Sequence, residues 1–206
     1  NNDLEKRDFN IDKANKILDE AGWKLKEGEK VREKNETKIQ FKIYTTDWPD
    51  LSDTANILAK QWQNIGADVS VEILTVSDLQ QNFVRPREYE ALLFGQDSSF
   101  NPDLYPFWHS SQKQDGFNLG MLDDKDADEI LRNIKQEPDA GKRTELYKEF
   151  QKILAKENPA IFIYSPYYLY PISNDINGLE TTRINSPSWR FADINKWYIK
   201  TKRVSK

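Results

Sequence analysis

Side chains that could carry out hydrolysis stand together at His109, Ser110 and Ser111. An imidazole can take a proton from a serine hydroxyl, which then attacks a carbonyl carbon. That chemistry needs a third group to orient the imidazole, and neighbouring positions in a sequence do not establish such geometry. The chain also has no Gly-x-Ser-x-Gly segment, in which α/β hydrolases place their nucleophile. Hydrolysis through His109 is therefore kept as an alternative, and the leading expectation is a chain without catalytic residues.

Three aspartates, Asp124, Asp126 and Asp128, have the spacing of the first ligands in a calcium loop. Glu129 stands where that loop requires glycine, and Lys135 stands at the twelfth position, where a bidentate carboxylate is needed. The aspartates instead suit the positive end of a helix dipole. One histidine and no cysteine offer no set of zinc ligands, and the chain has neither a GxGxxG nor a P-loop segment. We expect no metal and no cofactor.

A loop rich in aromatic and amide side chains is the main candidate for ligand binding. It lies within residues 89–118, where seven of thirty residues are aromatic, against 12% of the whole chain. A short apolar run ends at Phe94 and a polar loop follows, and such loops often carry ligand contacts in α/β folds. Flat rings supply contact area while amides and hydroxyls fix orientation. The alternative is a loop packed by its own aromatic side chains.

Trp48 is a second candidate contact. Together with Asp47 it directly follows a predicted strand, so its indole could face a ligand at the end of a sheet. The alternative is that Trp48 covers an edge of the core. A third aromatic stretch, residues 166–171, carries three tyrosines that could line a ligand or lie on a half-exposed strand edge.

The elements that would position these residues follow from the spacing of apolar side chains. Helical spacing and period-two alternation predict helices at 10–21, 51–65, 76–83, 124–135 and 139–156, and strands at 39–44, 69–73 and 89–94. Residues 160–164 are continuously apolar and predict a central strand. The alternation of helices and strands predicts an α/β fold with a mixed, largely parallel sheet flanked by helices. From residue 172 onward no sustained period is found.

Composition excludes several classes of protein. The net charge of −4 over 206 residues argues against a nucleic-acid surface, which needs a basic stripe. The longest apolar run is too short to span a bilayer. The chain begins Asn-Asn-Asp, with neither a methionine nor a signal sequence, and we expect it to be part of a longer protein.

Six segments, taken together and in this order, resemble the C-terminal lobe of family 5 of the bacterial extracellular solute-binding proteins. They are LDEAGW (18–23), QNIGADVSVEI (63–73), YEALLFG (89–95), NPDLYPFWHSSQ (101–112), RTELYKEFQKIL (143–154) and PAIFIYSPYY (159–168). SWRFADINKWYIK (188–200) also resembles the end of that family. Its members are receptors for oligopeptides, dipeptides, nickel complexes and some sugars, and they supply ABC importers.

The resemblance implies one lobe of a two-lobe clamp with a periplasmic-binding-protein fold. Residues 1–171 would form the C-terminal α/β lobe, and residues 172–206 would be a tail that crosses to the first lobe, which is absent from this chain. The expected partners are a small-molecule or peptide ligand, the first lobe of the same protein and an ABC permease in the membrane. The expected location is extracytoplasmic, in a periplasm or lipid-anchored at the outer face of the membrane, and no chemistry is expected.

The resemblance also suggests ligand contacts, because in the family the loop after the strand at 89–94 meets the ligand. The residues implied in that loop are Gly95, Gln96, Asp97, Ser98, Ser99, Phe100 and Asn101, together with Asn118 further along. Peptide receptors of the family often carry an acidic side chain in this loop that pairs with the free amine of the ligand. Asp97 is displaced from that place, so an ionic contact of this kind is not expected in the usual position.

A stand-alone carbohydrate- or peptide-binding module is the other alternative. It predicts that the chain alone binds ligand well, whereas half of a clamp binds weakly because much of the ligand is buried by the other lobe. If the tail loses its usual partner, we expect an exposed apolar patch or a non-native dimer.

Overall fold

The computed structural model describes residues 4, 8–96, 103–181, 184 and 186–200. The chain divides into two compact units. Unit 1 comprises residues 1–97 and 104–159, and unit 2 comprises residues 98–103 and 160–206. The boundary predicted at residue 172, between lobe and tail, stays a prediction.

Unit 1 is an α/β structure. Its helices are α1 (Ile11–Glu20), α2 (Pro49–Gln63), α3 (Val76–Leu79), α4 (Tyr105–Trp108), α5 (Lys125–Gln136) and α6 (Ala140–Glu157). Its strands are β1 (Glu33–Lys34), β2 (Thr37–Lys38), β3 (Gln40–Thr46), β4 (Asp68–Leu74) and β5 (Ala91–Leu92). A π-helical turn, Gln80–Val84, continues α3, and a 3₁₀ turn, Ser110–Gln112, follows α4.

A parallel three-stranded sheet in the order β4-β3-β5 organises unit 1. Gln40 pairs with Asp68 and Thr46 with Leu74, so β3 and β4 are in register along their whole length. One face of the sheet packs against α2 and forms a core of Ile43, Ala55, Ala59, Ala67 and Val69. The predicted α/β class with a largely parallel sheet is therefore confirmed for this unit.

A second packed region joins α4, α5 and α6. The Trp108 and Phe150 rings meet edge to face with centroids 6.5 Å apart. Phe150 and Leu131 are each 1% exposed. These contacts bury the apolar stripes that the helical spacing predicts on α5 and α6.

Local signals determine the ends of α1. The Asn10 side chain caps the helix by accepting a hydrogen bond from the Lys13 backbone N–H at 2.8 Å, as asparagine often does at this position. Gly22 adopts a φ of +89°, and the Trp23 N–H donates to the Leu18 carbonyl at 2.9 Å. These two features form a Schellman ending, which a glycine at this position favours.

The predicted central strand at 160–164 is wrong. None of the described strands includes or pairs with these residues. Ile161 and Phe162 are 67% and 71% exposed. Apolar character favours a strand only when a neighbouring strand accepts its backbone hydrogen bonds, and the described part of this chain offers none to this segment.

Unit 2 is small and rich in loops. Strands β6 (Ile176–Asn177) and β7 (Tyr198–Ile199) form an antiparallel pair, and 3₁₀ turns occupy Pro187–Phe191 and Ile194–Lys196. Aromatic packing brings the Phe191 ring 5.9 Å from Trp197 and 6.2 Å from Tyr170. In the described part of the chain, every helix is too short or too polar to cross a membrane.

Candidate functional site

The carboxyl end of the parallel sheet forms the candidate site. The backbone N–H of Leu93 donates to the Tyr44 carbonyl at 2.9 Å, and the Thr45 hydroxyl donates to the Leu93 carbonyl at 3.0 Å. These bonds hold the end of β5 beside the end of β3. Because the strands are parallel, the segments that follow them leave the sheet at the same edge.

Trp48 lies at this edge, and its contact with a ligand stays a prediction. It is the N-cap of α2, in an extended conformation, and Pro49 begins the helix. The Asp47 N–H donates to the Leu74 carbonyl at 3.0 Å, which fixes the turn between β3 and α2. Trp48 is 63% exposed, so the alternative that its ring covers the core is not favoured.

Gly95 and Gln96 leave the sheet at the same edge as Trp48. Tyr44 pairs with Leu92, and Trp48 and Gln96 each stand four residues beyond that pair. Gln96 is exposed, and among the described residues no atom beyond the two chain neighbours of Gly95 lies within 4 Å of the position that a Cβ would take there. The edge therefore presents an indole face, an amide and an open stretch of backbone, which together suit a ligand with both apolar and hydrogen-bonding groups.

Five of the predicted contacts lie outside the described residues. They are Asp97, Ser98, Ser99, Phe100 and Asn101. Their part in ligand binding stays a prediction.

Asn118 has a different role from the predicted ligand contact. Its side chain is fully buried. The amide nitrogen donates to the carbonyls of Trp108, His109 and Leu122 at 3.3, 3.1 and 2.9 Å, and the amide oxygen accepts from the Leu122 N–H at 3.0 Å. Because both ends of the amide are used inside the unit, Asn118 holds the segment after α4 in place and does not itself reach a ligand.

Two further residues, for which the sequence analysis predicted no role, form hydrogen bonds to the backbone of the segment between α4 and α5. Arg87, with a φ of +65°, donates to the carbonyls of Lys113 and Gly116 at 2.9 and 2.6 Å. The Tyr89 hydroxyl donates to the Leu119 carbonyl at 2.8 Å, and burial raises the pKa of Tyr89. No local signal marks these roles, because the acceptors are backbone carbonyls about 26–30 positions away.

His109 and its serines do not form a nucleophile-activating array. The His109 Nδ1 lies 2.9 Å from the Ser111 hydroxyl. The other ring nitrogen, Nε2, lies 2.9 Å from Arg132 Nη1, which can only donate a hydrogen bond. The Asp128 carboxylate is engaged by the Ser110 N–H at 2.8 Å and by the Ser110 hydroxyl. A hydrolytic triad needs the carboxylate to orient the imidazole, so this arrangement does not support hydrolysis.

The described residues contain no group of three or more histidine, cysteine or acidic side chains that could hold a metal ion. The hydrogen bonds of the α5 aspartates agree with a structural role. Asp124 caps the helix by accepting from the Ala127 N–H at 2.8 Å.

Comparisons with known proteins agree on one family. The profile of the bacterial extracellular solute-binding proteins, family 5 (middle region), matches residues 1–118. The oligopeptide-binding protein AppA of Bacillus subtilis is 27% identical over 199 residues, which cover 96% of this chain. The chain spans only 36% of the length of that relative.

Solved structures share the fold. AppA of Bacillus subtilis, solved in complex with a nonapeptide, superimposes with a TM-score of 0.77 over 97% of this chain and 39% of its own, at 26% identity. NikZ of Campylobacter jejuni, solved with Ni(L-His), gives a TM-score of 0.70 over 92% of this chain and 39% of its own. Its identity of 23% supports the fold alone.

Proposed function

Because the chain belongs to family 5 of the bacterial extracellular solute-binding proteins, we propose that it is the C-terminal lobe of a peptide receptor that supplies an ABC importer. Such a receptor binds its ligand and passes it to a membrane permease without chemistry. The observation that carries the proposal is the exposed set of Trp48, Gly95 and Gln96 at the carboxyl edge of the parallel sheet.

We propose an oligopeptide, and not a small polar solute, as the ligand. A peptide offers carbonyl and N–H groups that the Gln96 amide can meet, and its side chains can lie against the Trp48 indole. The similarity to an oligopeptide-binding protein supports the same ligand class. Ligand contacts of residues 97–101, which the family resemblance implies, are part of the same proposal.

We further propose that the rest of the protein supplies the first lobe. The chain covers 36% of AppA, so a receptor of similar length would contain enough sequence for another lobe. Unit 2 exposes apolar side chains that such a lobe would cover, namely Ile161, Phe162, Tyr167 and Leu169. The proposed location is extracytoplasmic, in a periplasm or tethered by lipid to the outer face of the membrane.

Isothermal titration of the complete receptor with oligopeptides of varied length tests the ligand proposal. We expect Trp48→Ala to weaken binding by about tenfold or more, because exposed aromatic anchors carry much of the affinity in such sites. Gln96→Ala should weaken it by about three- to tenfold through one lost hydrogen bond.

Ile57→Ala and Gln61→Ala are matched controls, since both side chains are exposed and lie on α2 beyond its first turn, away from the carboxyl edge. Equal affinity in all four variants would contradict the proposed site. Absence of peptide binding by the intact receptor, with a sugar or metal complex bound instead, would contradict the ligand class. The 206-residue chain alone should bind peptide much more weakly than the complete receptor, and equal affinity would favour a stand-alone module.

A further inference from the structure

Arg190 places a positive charge in the aromatic part of unit 2. Its Nη1 donates to the Tyr168 hydroxyl at 2.6 Å. Its guanidinium carbon lies 5.2 Å from the centre of the Tyr170 ring and 4.6 Å from the centre of the Phe191 ring. Aromatic rings attract a cation to their faces, so these contacts hold the guanidinium in place. Neutral side chains alone therefore position this charge.

The guanidinium has donors that the described part of the chain does not use. Its Nε is buried without an acceptor, and Nη2 makes no hydrogen bond to a described residue. Two acidic side chains of the same unit have other partners, since Asp193 accepts from the Glu180 and Thr181 N–H groups and Glu180 pairs with Lys196. A cation that is partly removed from water and lacks an anion gains strongly from a carboxylate, because charge-assisted hydrogen bonds are the stronger kind.

The same cation adjoins a strongly exposed apolar stretch. Tyr168, which accepts the hydrogen bond from Arg190, stands between Tyr167 and Leu169, which are 92% and 82% exposed. The residues that contribute most to protein–protein binding are enriched in tyrosine, tryptophan and arginine. An apolar surface with one fixed cation suits a partner with the opposite pattern, in which an apolar surface surrounds a carboxylate.

We propose that Arg190 anchors an interface with the first lobe of the complete receptor, and that this lobe supplies an aspartate or a glutamate to its guanidinium. The inference rests on the proposed function, which assigns the rest of the receptor to that lobe. The chain spans 36% of the length of AppA, so a receptor of that length has enough further sequence to cover unit 2. The Nη2 group is the expected donor to the carboxylate.

Chemical cross-linking of the complete receptor tests the anchor directly. A water-soluble carbodiimide joins an amine to a carboxylate that contacts it, forming an amide bond while the reagent takes up the water that is lost. Arginine does not react, whereas Arg190→Lys places an amine at this position. We expect mass spectrometry of Arg190→Lys to find a new cross-link to an aspartate or glutamate of the first lobe. A new cross-link to an acidic residue of this chain alone, or none, would overturn the proposal.

Thermal unfolding gives a second test, which compares Arg190→Met in the complete receptor and in the 206-residue chain. Methionine keeps an apolar side chain and removes the charge. In the receptor we expect the midpoint to fall by about 3 °C or more, because a carboxylate in the interface loses its partner. In the chain alone the fall should not exceed about 1 °C, since no ion pair is lost. Equal shifts in the two proteins would contradict the interface.

Arg143→Met is the matched control. Arg143 is half-buried like Arg190, but its Nη1 donates to the Glu137 carbonyl at 2.8 Å within unit 1. Its replacement should therefore lower both midpoints equally. If analytical ultracentrifugation finds a dimeric receptor that Arg190→Met dissociates, the surface binds a second copy and the proposal is wrong.

Neither test uses a ligand. A receptor that binds peptide but gives no cross-link from Arg190→Lys would leave the proposed function standing and overturn the anchor. A receptor that gives the cross-link but binds no peptide would support the anchor and contradict the ligand proposed above.

Discussion

At the scale of single residues, two buried polar side chains organise much longer stretches of backbone. Asn118 satisfies three carbonyls and one N–H in the segment between α4 and α5. Asp193 is 8% exposed and accepts from the Glu180 and Thr181 N–H groups, at 2.6 and 2.9 Å, and from the Trp197 indole at 3.0 Å. In each loop, the buried side chain supplies the hydrogen-bond partners that a helix or a sheet would otherwise give to the backbone.

Truncating Asn118 should destabilise unit 1 strongly. Asn118→Ala leaves buried backbone groups without partners, and we expect a loss of about 2–4 kcal/mol in the free energy of unfolding. Urea denaturation followed by circular dichroism measures it. Asn56→Ala is the control, because the exposed Asn56 makes one hydrogen bond to the Ser52 carbonyl at 2.9 Å and should cost under about 1 kcal/mol. Similar losses in both variants would contradict the assigned role.

Acid should weaken unit 2 through Asp193. Burial by itself would raise the pKa of this carboxyl, but the hydrogen bonds from Glu180, Thr181 and Trp197 lower it from 3.8 to about 2. A lowered folded-state pKa gives stability that is complete above the unfolded value and is lost as the pH falls from about 3.8 towards 2. We expect the Glu180 and Thr181 amide signals to lose their dispersion in that range.

Asp193→Asn should remove this acid transition and lower the stability of unit 2 at neutral pH. Asp175→Asn is the control, since Asp175 is exposed and lies in the same unit. If the acid transition persists unchanged in Asp193→Asn, it is caused by the titration of another group.

At the scale of elements, Arg32 connects α1 with the end of α2. It is 4% exposed and donates to the Ile65 and Trp23 carbonyls at 2.8 and 2.7 Å. It also pairs with Asp19 at 2.7 Å, and this hydrogen bond lowers the pKa of Asp19. A charge this deep is tolerated because each of these donors has an acceptor.

Gly66 leaves room for that arginine. A Cβ at Gly66 would lie 2.7 Å from the Arg32 Cγ, and the residue has a φ of +88°. We expect Gly66→Ala to cost about 2–4 kcal/mol, because steric contact adds to backbone strain. Gly28→Ala tests the backbone strain alone, since Gly28 has a φ of +80° and, among the described residues, no atom beyond its two chain neighbours lies within 4 Å of the added Cβ. This variant should cost about 1 kcal/mol. Equal thermal shifts in the two variants would contradict the steric part of the argument.

At the scale of the whole molecule, the two units differ in how well they bury their apolar residues. Unit 1 has a sheet core and a helical core, in which Ala55 and Ala127 are completely buried. Unit 2 leaves Tyr167 at 92% and Leu169 at 82% exposed. An apolar stretch of this kind is typical of a surface that another part of a protein covers.

Replacing an exposed ring should therefore change association more than stability. We expect Phe162→Ser to reduce binding of an apolar dye, and any self-association of the chain in analytical ultracentrifugation, with a change below about 1 kcal/mol in unfolding free energy. Phe150→Ala is the control, because that ring is 1% exposed and its removal should cost about 3–5 kcal/mol. A monomeric wild-type chain that binds no dye would contradict the predicted apolar patch.

The sequence by itself determined the features that depend on neighbours in the chain. Asn10 and Gly22 mark the ends of α1, apolar spacing marks α2, α5 and α6, and alternation marks β3 and β4, because caps and amphipathic faces are local properties. The alternating order of elements also determined the parallel sheet, and with it the edge at which Trp48 and Gln96 emerge.

Only the tertiary structure decided which polar side chains are buried and which apolar runs find a partner. Asn118 was predicted to contact a ligand and is instead fully buried, while Arg32 and Arg87 hold backbone carbonyls that are distant in sequence. Residues 160–164 have the composition of a strand without any pairing among the described strands. Burial and strand pairing depend on groups that folding brings together from far along the chain, so no local pattern could determine them.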